Sequence, residues 1–296
     1  MKKITALMAL VLLTVMSNLV VAQSDTQPPK KDAAANTLAT RAEVEAAWQR
    51  TFGYDSAASW KILNVGPSSV PGMTKVVAIS GNQLPVTAYI LPDKKNAIVG
   101  ELIPFGADPF ATTREKLAAA DGPARGPASP AIVIVEFVDL ECQYCKATQP
   151  IVKKLIADFP QVRFVIQQMP LAASVHPWAM KAAEYADCAS NMNKEAFWTY
   201  VDSIYENQGG IALATADDKL KELATAAGLD AQKVAACAAT PQTEARVKKS
   251  FEFGRSAGVD ALPSIFINGR KVTTAAYMPY EKLKEMVQFE IDHAGK

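Results

Sequence analysis

Two of the four cysteines in this chain stand three residues apart, in the stretch EFVDLECQYCK at positions 136–146. Cys142 and Cys145 follow an apolar run and are separated only by Gln143 and Tyr144. A pair this close can be a redox dithiol, half of a metal site, a haem attachment point or a structural staple. Haem attachment requires histidine directly after the second cysteine, and Lys146 stands there. A tetrahedral zinc site needs two further ligands. Only His176, His293, Cys188, Cys237 and carboxylates could supply them, and no second close pair exists. A staple inside one helical turn would be strained and easily reduced. Thiol–disulfide exchange is the chemistry these residues favour.

Exchange requires a thiolate, so the elements around the pair decide whether one can form. AIVIVEFVDL (131–140) is a continuous apolar run rich in β-branched residues, as a buried central strand should be. ATQPIVKKLIADF then places Ile151, Val152, Leu155, Ile156 and Phe159 at helical spacing. Cys142 is therefore predicted just past a strand, at the N-terminus of a helix, where unpaired N–H groups and the helix dipole favour negative charge. Its pKa is expected below the free value of about 8.5. Cys145, one turn further in, is the expected resolving thiol.

The second half of the chain continues as VRFVIQQMP, a strand, followed by a block of helical signals from His176 to Gly258. Helices are expected through WAMKAAEYADCA, KEAFWTYVDSIYENQ and DDKLKELATAAG, with Thr215 and Asp230 as N-caps and Gly228 as a stop. Trp178, Trp198, Tyr200 and Tyr205 recur at helical spacing and read as core. His176, ahead of Pro177, reads as a helix-start or packing residue. SIFI and RKV flank Asn268-Gly269, the strongest short hairpin signal, and a last helix is expected over about 279–291. Strand, helix, strand, helical block, hairpin and helix together give an α/β, thioredoxin-like fold with a helical insertion at about 176–258.

EFVDLECQYCKATQP, HPWAMKAAEYADCA, FWTYVDSIYENQ and GVDALPSIFINGRKV, in this order, resemble the DsbA-like thioredoxin-fold thiol–disulfide oxidoreductases of bacterial envelopes. The resemblance spans about residues 130–292. It implies Cys142 as nucleophile, Cys145 as resolving thiol and Pro263 as the cis-proline facing them. Leu262, with Gln143 and Tyr144, would receive substrate. Glu136, six residues before Cys142, matches the buried acid that assists proton transfer in that family, and a Glu inside an apolar strand is costly without a role or partner. The dipeptide between the cysteines is Gln-Tyr, not the Pro-His of the best-known oxidase, so no histidine in the motif stabilises the thiolate. Tyr at this second position also occurs in isomerase-type members. The resemblance implies cysteine-containing exported proteins as substrates, a membrane redox partner that resets the dithiol, and no cofactor. A non-catalytic thioredoxin-fold binding module or a metal chaperone is the alternative from another class.

The N-terminus agrees with such a compartment. Lys2 and Lys3 precede an apolar stretch from Ile4 to Met16 and then Val20-Val21-Ala22, the pattern of a secretory signal over 1–22. The mature chain is expected to start near Gln23 and to work in the periplasm or outside the cell. There, Cys188 and Cys237, 49 residues apart, are expected to pair as a structural disulfide. The chain carries 31 basic and 30 acidic residues. Losing Lys2 and Lys3 leaves 29 against 30, which offers nucleic acid no electrostatic footing.

Residues 23–39 are polar and read as a disordered leader. Residues 40–115 read as a small α+β domain: a helix in TRAEVEAAW, then strands in TKVVAISG, LPVTAYIL and NAIVGELI, with turns at Gly81-Asn82 and Pro92-Asp93. Its PSSVPG and its lone Gly100 resemble the dimerisation domain of the DsbC and DsbG isomerases, which would make a homodimer through this domain. The breakers of DGPARGPASP mark a linker over 116–130 and a catalytic domain over 131–292.

Overall fold

The computed structural model describes residues 38–53, 60–79, 85–272 and 278–294. The expected signal segment, most of the leader and the Gly81-Asn82 turn lie outside them. The chain divides into two compact units, Met1–Ile103 and Pro104–Lys296.

In the first unit, α1 (Arg41–Phe52) starts at a capping box: the Thr40 side chain accepts from the Glu43 N–H while the Glu43 carboxylate accepts from the Thr40 N–H. An antiparallel meander follows, β1 (Lys61–Pro67), β2 (Thr74–Ile79), β3 (Pro85–Ile90) and β4 (Ala97–Val99), ordered β1-β2-β3-β4. Val44 of the helix packs with Val76, Ala88 and Ile90 of the sheet. Ala39, the last residue of the expected leader, is buried in this cluster and donates its N–H to Thr74 Oγ1 at 2.7 Å. β1 was not foreseen as a strand. A register shift between Ile62 and Asn64 breaks its period of two, and none of its residues is fully buried.

The second unit is a five-stranded sheet of order β5-β7-β6-β8-β9. Its strands are β5 (Ala124–Arg125), β6 (Val133–Val138), β7 (Arg163–Gln168), β8 (Ser264–Ile267) and β9 (Arg270–Val272). β6 and β7 are parallel, and every other pairing is antiparallel. Central β6 alternates strictly. Ile134 and Val138 face one hydrophobic layer, whereas Val135 and Phe137 face another. The first layer holds α3 (Gln143–Asp158) and α9 (Tyr280–His293). It also receives helices of the insertion, which comprises α4 (Ala179–Met192), α5 (Lys194–Asn207), α6 (Ala216–Ala226), α7 (Ala231–Ala238) and α8 (Pro241–Ser256). The opposite layer is closed by Phe251 and Phe253 of α8 and by Leu117, the last residue of α2 (Ala111–Leu117). Asn268 and Gly269 take φ of 50° and 87° in the β8–β9 turn, as the hairpin signal required.

The expected domain boundary and linker are corrected by this unit. Residues 104–115 belong with the second unit, and the breakers of 121–130 sit against its sheet. A Cβ on Gly122 would lie 2.0 Å from the Ile166 carbonyl oxygen, and one on Gly126 would lie 2.1 Å from that of Val162. These glycines let β5 approach β7 closely, so their physical reason is contact, not flexibility.

Cys188 of α4 and Cys237 of α7 form a disulfide, with Cα atoms 5.9 Å apart. Replacing both by alanine should reduce stability by roughly 4 kcal/mol on the chain-entropy account of a loop this long. Urea unfolding measures the loss, and a midpoint equal to that of the native chain would contradict it.

Candidate active site

Cys142 is the N-cap of α3, with extended backbone and no side-chain capping bond. The first-turn N–H groups are therefore free to serve a sulfur anion instead of a side-chain oxygen. Both Cys142 and Cys145 carry free thiols. The Cys142 pKa falls to about 7, above all through the hydrogen bond from the Cys145 thiol. The backbone N–H groups of Cys145 and Tyr144 add to it, whereas burial and the charge of Asp139 oppose it. Cys145 is fully buried, and burial, together with its sulfur neighbour, raises its pKa well above the ordinary thiol value. The two thiols are thus separated in acidity by their positions in one helical turn.

The Leu262–Pro263 peptide is cis, and the Cys142 thiol lies 3.9 Å from the Leu262 carbonyl oxygen, across 120 residues of sequence. Antiparallel pairing of β8 with β6 brings this segment to the dithiol, since Ser264, directly after Pro263, pairs with Phe137. Gln143 and Tyr144 are exposed beside it, Tyr144 at 42 %.

Glu136 lies in the central strand on the face that α3 covers and is completely buried. Its Oε1 accepts a long hydrogen bond of 3.5 Å from Gln149 of α3, and its Oε2 has no partner among the described residues. Burial pushes its pKa up to about 8, with the Gln149 hydrogen bond opposing. Tyr205 of α5, also buried, has an unpartnered hydroxyl among the described residues, and Cys145 and Glu136 contribute to raising its pKa after burial itself. Trp178, Trp198 and Tyr200 are core, as their spacing implied.

Sequence reasoning missed two carboxylates. Asp139 closes β6 and is fully buried. Its Oδ1 accepts from the Glu141 N–H and its Oδ2 from the Leu171 N–H, both at 2.7 Å, and His176 Nδ1 lies 2.8 Å from Oδ2. Glu141 Oε2 accepts from the Trp178 N–H at 2.7 Å, and burial raises the pKa of this carboxyl. The signal for Asp139 was available: like Glu136, it is an acid inside the apolar run that makes the central strand.

Residues 119–288, more than half of the chain, match a family model described as thioredoxin. The chain belongs to the thioredoxin family. Within it, the fold is that of the DsbA-like proteins. The oxidised BdbD of Bacillus subtilis superposes with a TM-score of 0.52 at 19 % identity, over 58 % of this chain and 93 % of that one. The thiol–disulfide exchange protein α-DsbA2 of Wolbachia pipientis superposes with a TM-score of 0.52 at 19 % identity, over 62 % and 99 %. Proteus mirabilis ScsC in its compact conformation gives 0.52 at 18 % identity, over 65 % and 83 %. The expectation of a thioredoxin-like fold with a helical insertion is met.

Half of this thioredoxin-family chain is also 33 % identical to a segment of the Na+/H+ antiporter NhaA 1 of Salinispora arenicola. The chain spans about a fifth of the length of the curated relatives it matches, 22 % in that case. Among the described residues, no helix is long and apolar enough to cross a membrane.

The raised Glu136 pKa makes a signed statement about stability. A carboxyl at about 8 when folded against a reference of 4.5 binds its proton more tightly in the native state. Its contribution is complete below pH 4.5 and is lost as pH rises towards 8. The stability of Glu136→Gln, relative to the native chain, should therefore rise by about 3 kcal/mol between pH 4.5 and pH 7. Paired urea titrations at the two pH values test this, and a difference that does not change with pH would contradict it.

Proposed function

We propose that this chain is an exported protein thiol–disulfide oxidoreductase, with Cys142 as nucleophile and Cys145 as resolving thiol. The observation that carries the reading is the split in acidity within the pair: Cys142 at about 7 and Cys145 far above it. Near neutral pH only one of the two sulfurs is a competent anion, and it is the one facing the Leu262–Pro263 segment. A dithiol in a thioredoxin-family domain, with a fold shared by a thiol–disulfide exchange protein, supports the same reading.

In the reducing direction, the Cys142 thiolate attacks one sulfur of a substrate disulfide. A mixed disulfide forms and one substrate thiolate leaves. Cys145 then gives up its proton and attacks Cys142 Sγ, which releases the second substrate thiolate and leaves the Cys142–Cys145 disulfide. The substrate gains two electrons and the enzyme loses two. Oxidation of a substrate dithiol is the same sequence reversed. Glu136, whose pKa burial raises to about 8, gives its own proton to solvent, takes up the Cys145 proton in its ionised form, and returns it in the reverse step. Pro263 shapes the wall against which substrate lies, and the Leu262 backbone, with the exposed Gln143 and Tyr144, lines its path.

The signal-like N-terminus supports export to the periplasm or beyond, with cysteine-containing exported proteins as substrates and a membrane redox protein restoring the working state of the dithiol. A homodimer through the first unit belongs to the same proposal. β4 is an edge of its sheet and leaves Ile98 and Val99 exposed, a surface that a second copy would cover.

Two variants test the chemistry. Cys142→Ser should reduce insulin no faster than the uncatalysed reaction. Cys145→Ser should accumulate a mixed disulfide with the substrate that dithiothreitol cleaves. Full turnover by Cys142→Ser, or no adduct with Cys145→Ser, would overturn the assignment. A sedimentation mass of the native chain twice that of the monomer is expected, and a monomer mass would refute the dimer.

A further inference from the structure

The Asp139 carboxylate collects donors from three separate places. The Glu141 N–H belongs to the loop carrying Cys142, the Leu171 N–H lies just beyond β7, and His176 leads into the helical insertion. Because Oδ2 already accepts from the Leu171 N–H, the His176 nitrogen facing it donates. The Asp139 backbone takes part as well: its carbonyl accepts from the Cys142 N–H at 3.1 Å. Glu141 ties the same two segments a second time, through the Trp178 N–H. The loop between β6 and the Cys142 cap of α3 is thus held at Asp139 and at Glu141 by their carboxylates. The charge at Asp139 nevertheless works against a thiolate at Cys142.

We propose that Asp139 and His176 form a positioning pair for the proposed exchange reaction. Asp139 fixes the loop that presents Cys142 and opposes its negative charge, and the His176 hydrogen bond attenuates that opposition. This inference rests on the oxidoreductase reading for its functional meaning. The pair supplies no electrons and no proton to substrate. It sets how readily Cys142 ionises and so how strongly the dithiol accepts or gives up electrons. A buried aspartate beside a thiolate would be an expensive way merely to hold a loop, because an uncharged acceptor could bind the same N–H groups without raising the cost of the anion. Glu136 of β6, Asp139 of the loop and Tyr205 of α5 interact electrostatically with the two thiols, and Glu141 of the loop and His176 beyond β7 stand beside Asp139.

The test is the pH dependence of Cys142 alkylation by iodoacetamide in the reduced full chain, a readout independent of substrate turnover. Asp139→Asn removes the opposing charge and should lower the midpoint by roughly half a pH unit, giving about threefold faster alkylation at pH 6. His176→Phe removes the donor and should move the midpoint upward. His176→Asn, whose amide can replace the ring N–H, should restore it. Loosening of the loop alone would move Asp139→Asn and His176→Phe in the same direction, so parallel shifts, or no shift in either, overturn the proposal. If Asp139→Asn fails to fold by circular dichroism, the variants of the partly buried His176 decide by themselves: an upward shift in Phe reversed in Asn supports the pair, and any other result refutes it. Insulin turnover separates this outcome from the oxidoreductase reading, since an inactive native chain with shifted midpoints would sink only that reading.

Discussion

A buried sulfur anion is costly, and the second unit is organised around making one tolerable at a single position. Cys142 caps α3 without a side-chain oxygen of its own, so the hydrogen bond from the Cys145 thiol and the first-turn N–H groups converge on its sulfur. One turn further along, Cys145 has burial against it and a sulfur neighbour beside it. The same helix start therefore makes one thiol acidic and the other resistant to ionisation. Exchange chemistry depends on that inequality, because a dithiol with two equal thiols would have no fixed order of attack and resolution.

Among the surrounding acids, Asp139 acts against the anion. Glu136, Asp139 and Glu141 all stand within six residues of Cys142, and the one that is best supplied with hydrogen bonds is Asp139. Glu136 has almost none and answers burial by keeping its proton. The two fully buried acids are thus supplied with donors differently for a structural reason: backbone donors reach the end of β6 but not its middle, where the strand is paired on both sides. A hydrogen-bonded carboxyl at the loop and a retained proton beneath it are consequences of strand position.

The strand–dithiol–helix core was legible because each of its signals is local. A continuous β-branched run, a helical spacing of apolar residues and an Asn-Gly pair depend on residues within a few positions of one another. The edges were not legible. DGPARGPASP has the composition of a linker, yet Gly122 and Gly126 are required by the carbonyls of Ile166 and Val162, which lie about forty residues later. β1 hides its pattern behind a bulge and a half-exposed face. The apolar run marks Asp139 as a costly acid, but its partners Leu171 and His176, more than thirty residues away, were not legible.

By itself the sequence determined the order of strands and helices from the central strand onward, the place of the dithiol at a helix start, and the acid buried in the central strand. These follow from periodicity and from the cost of an isolated polar group in an apolar run. Only the tertiary structure decided what surrounds the sulfur. The antiparallel pairing of β8 with β6 lays Leu262 and Pro263 beside Cys142, and the segment that follows β7 brings Leu171 and His176 to Asp139. Contacts of that kind depend on which strands become neighbours in the sheet, and neighbourhood across a sheet is fixed by the packing of the whole unit.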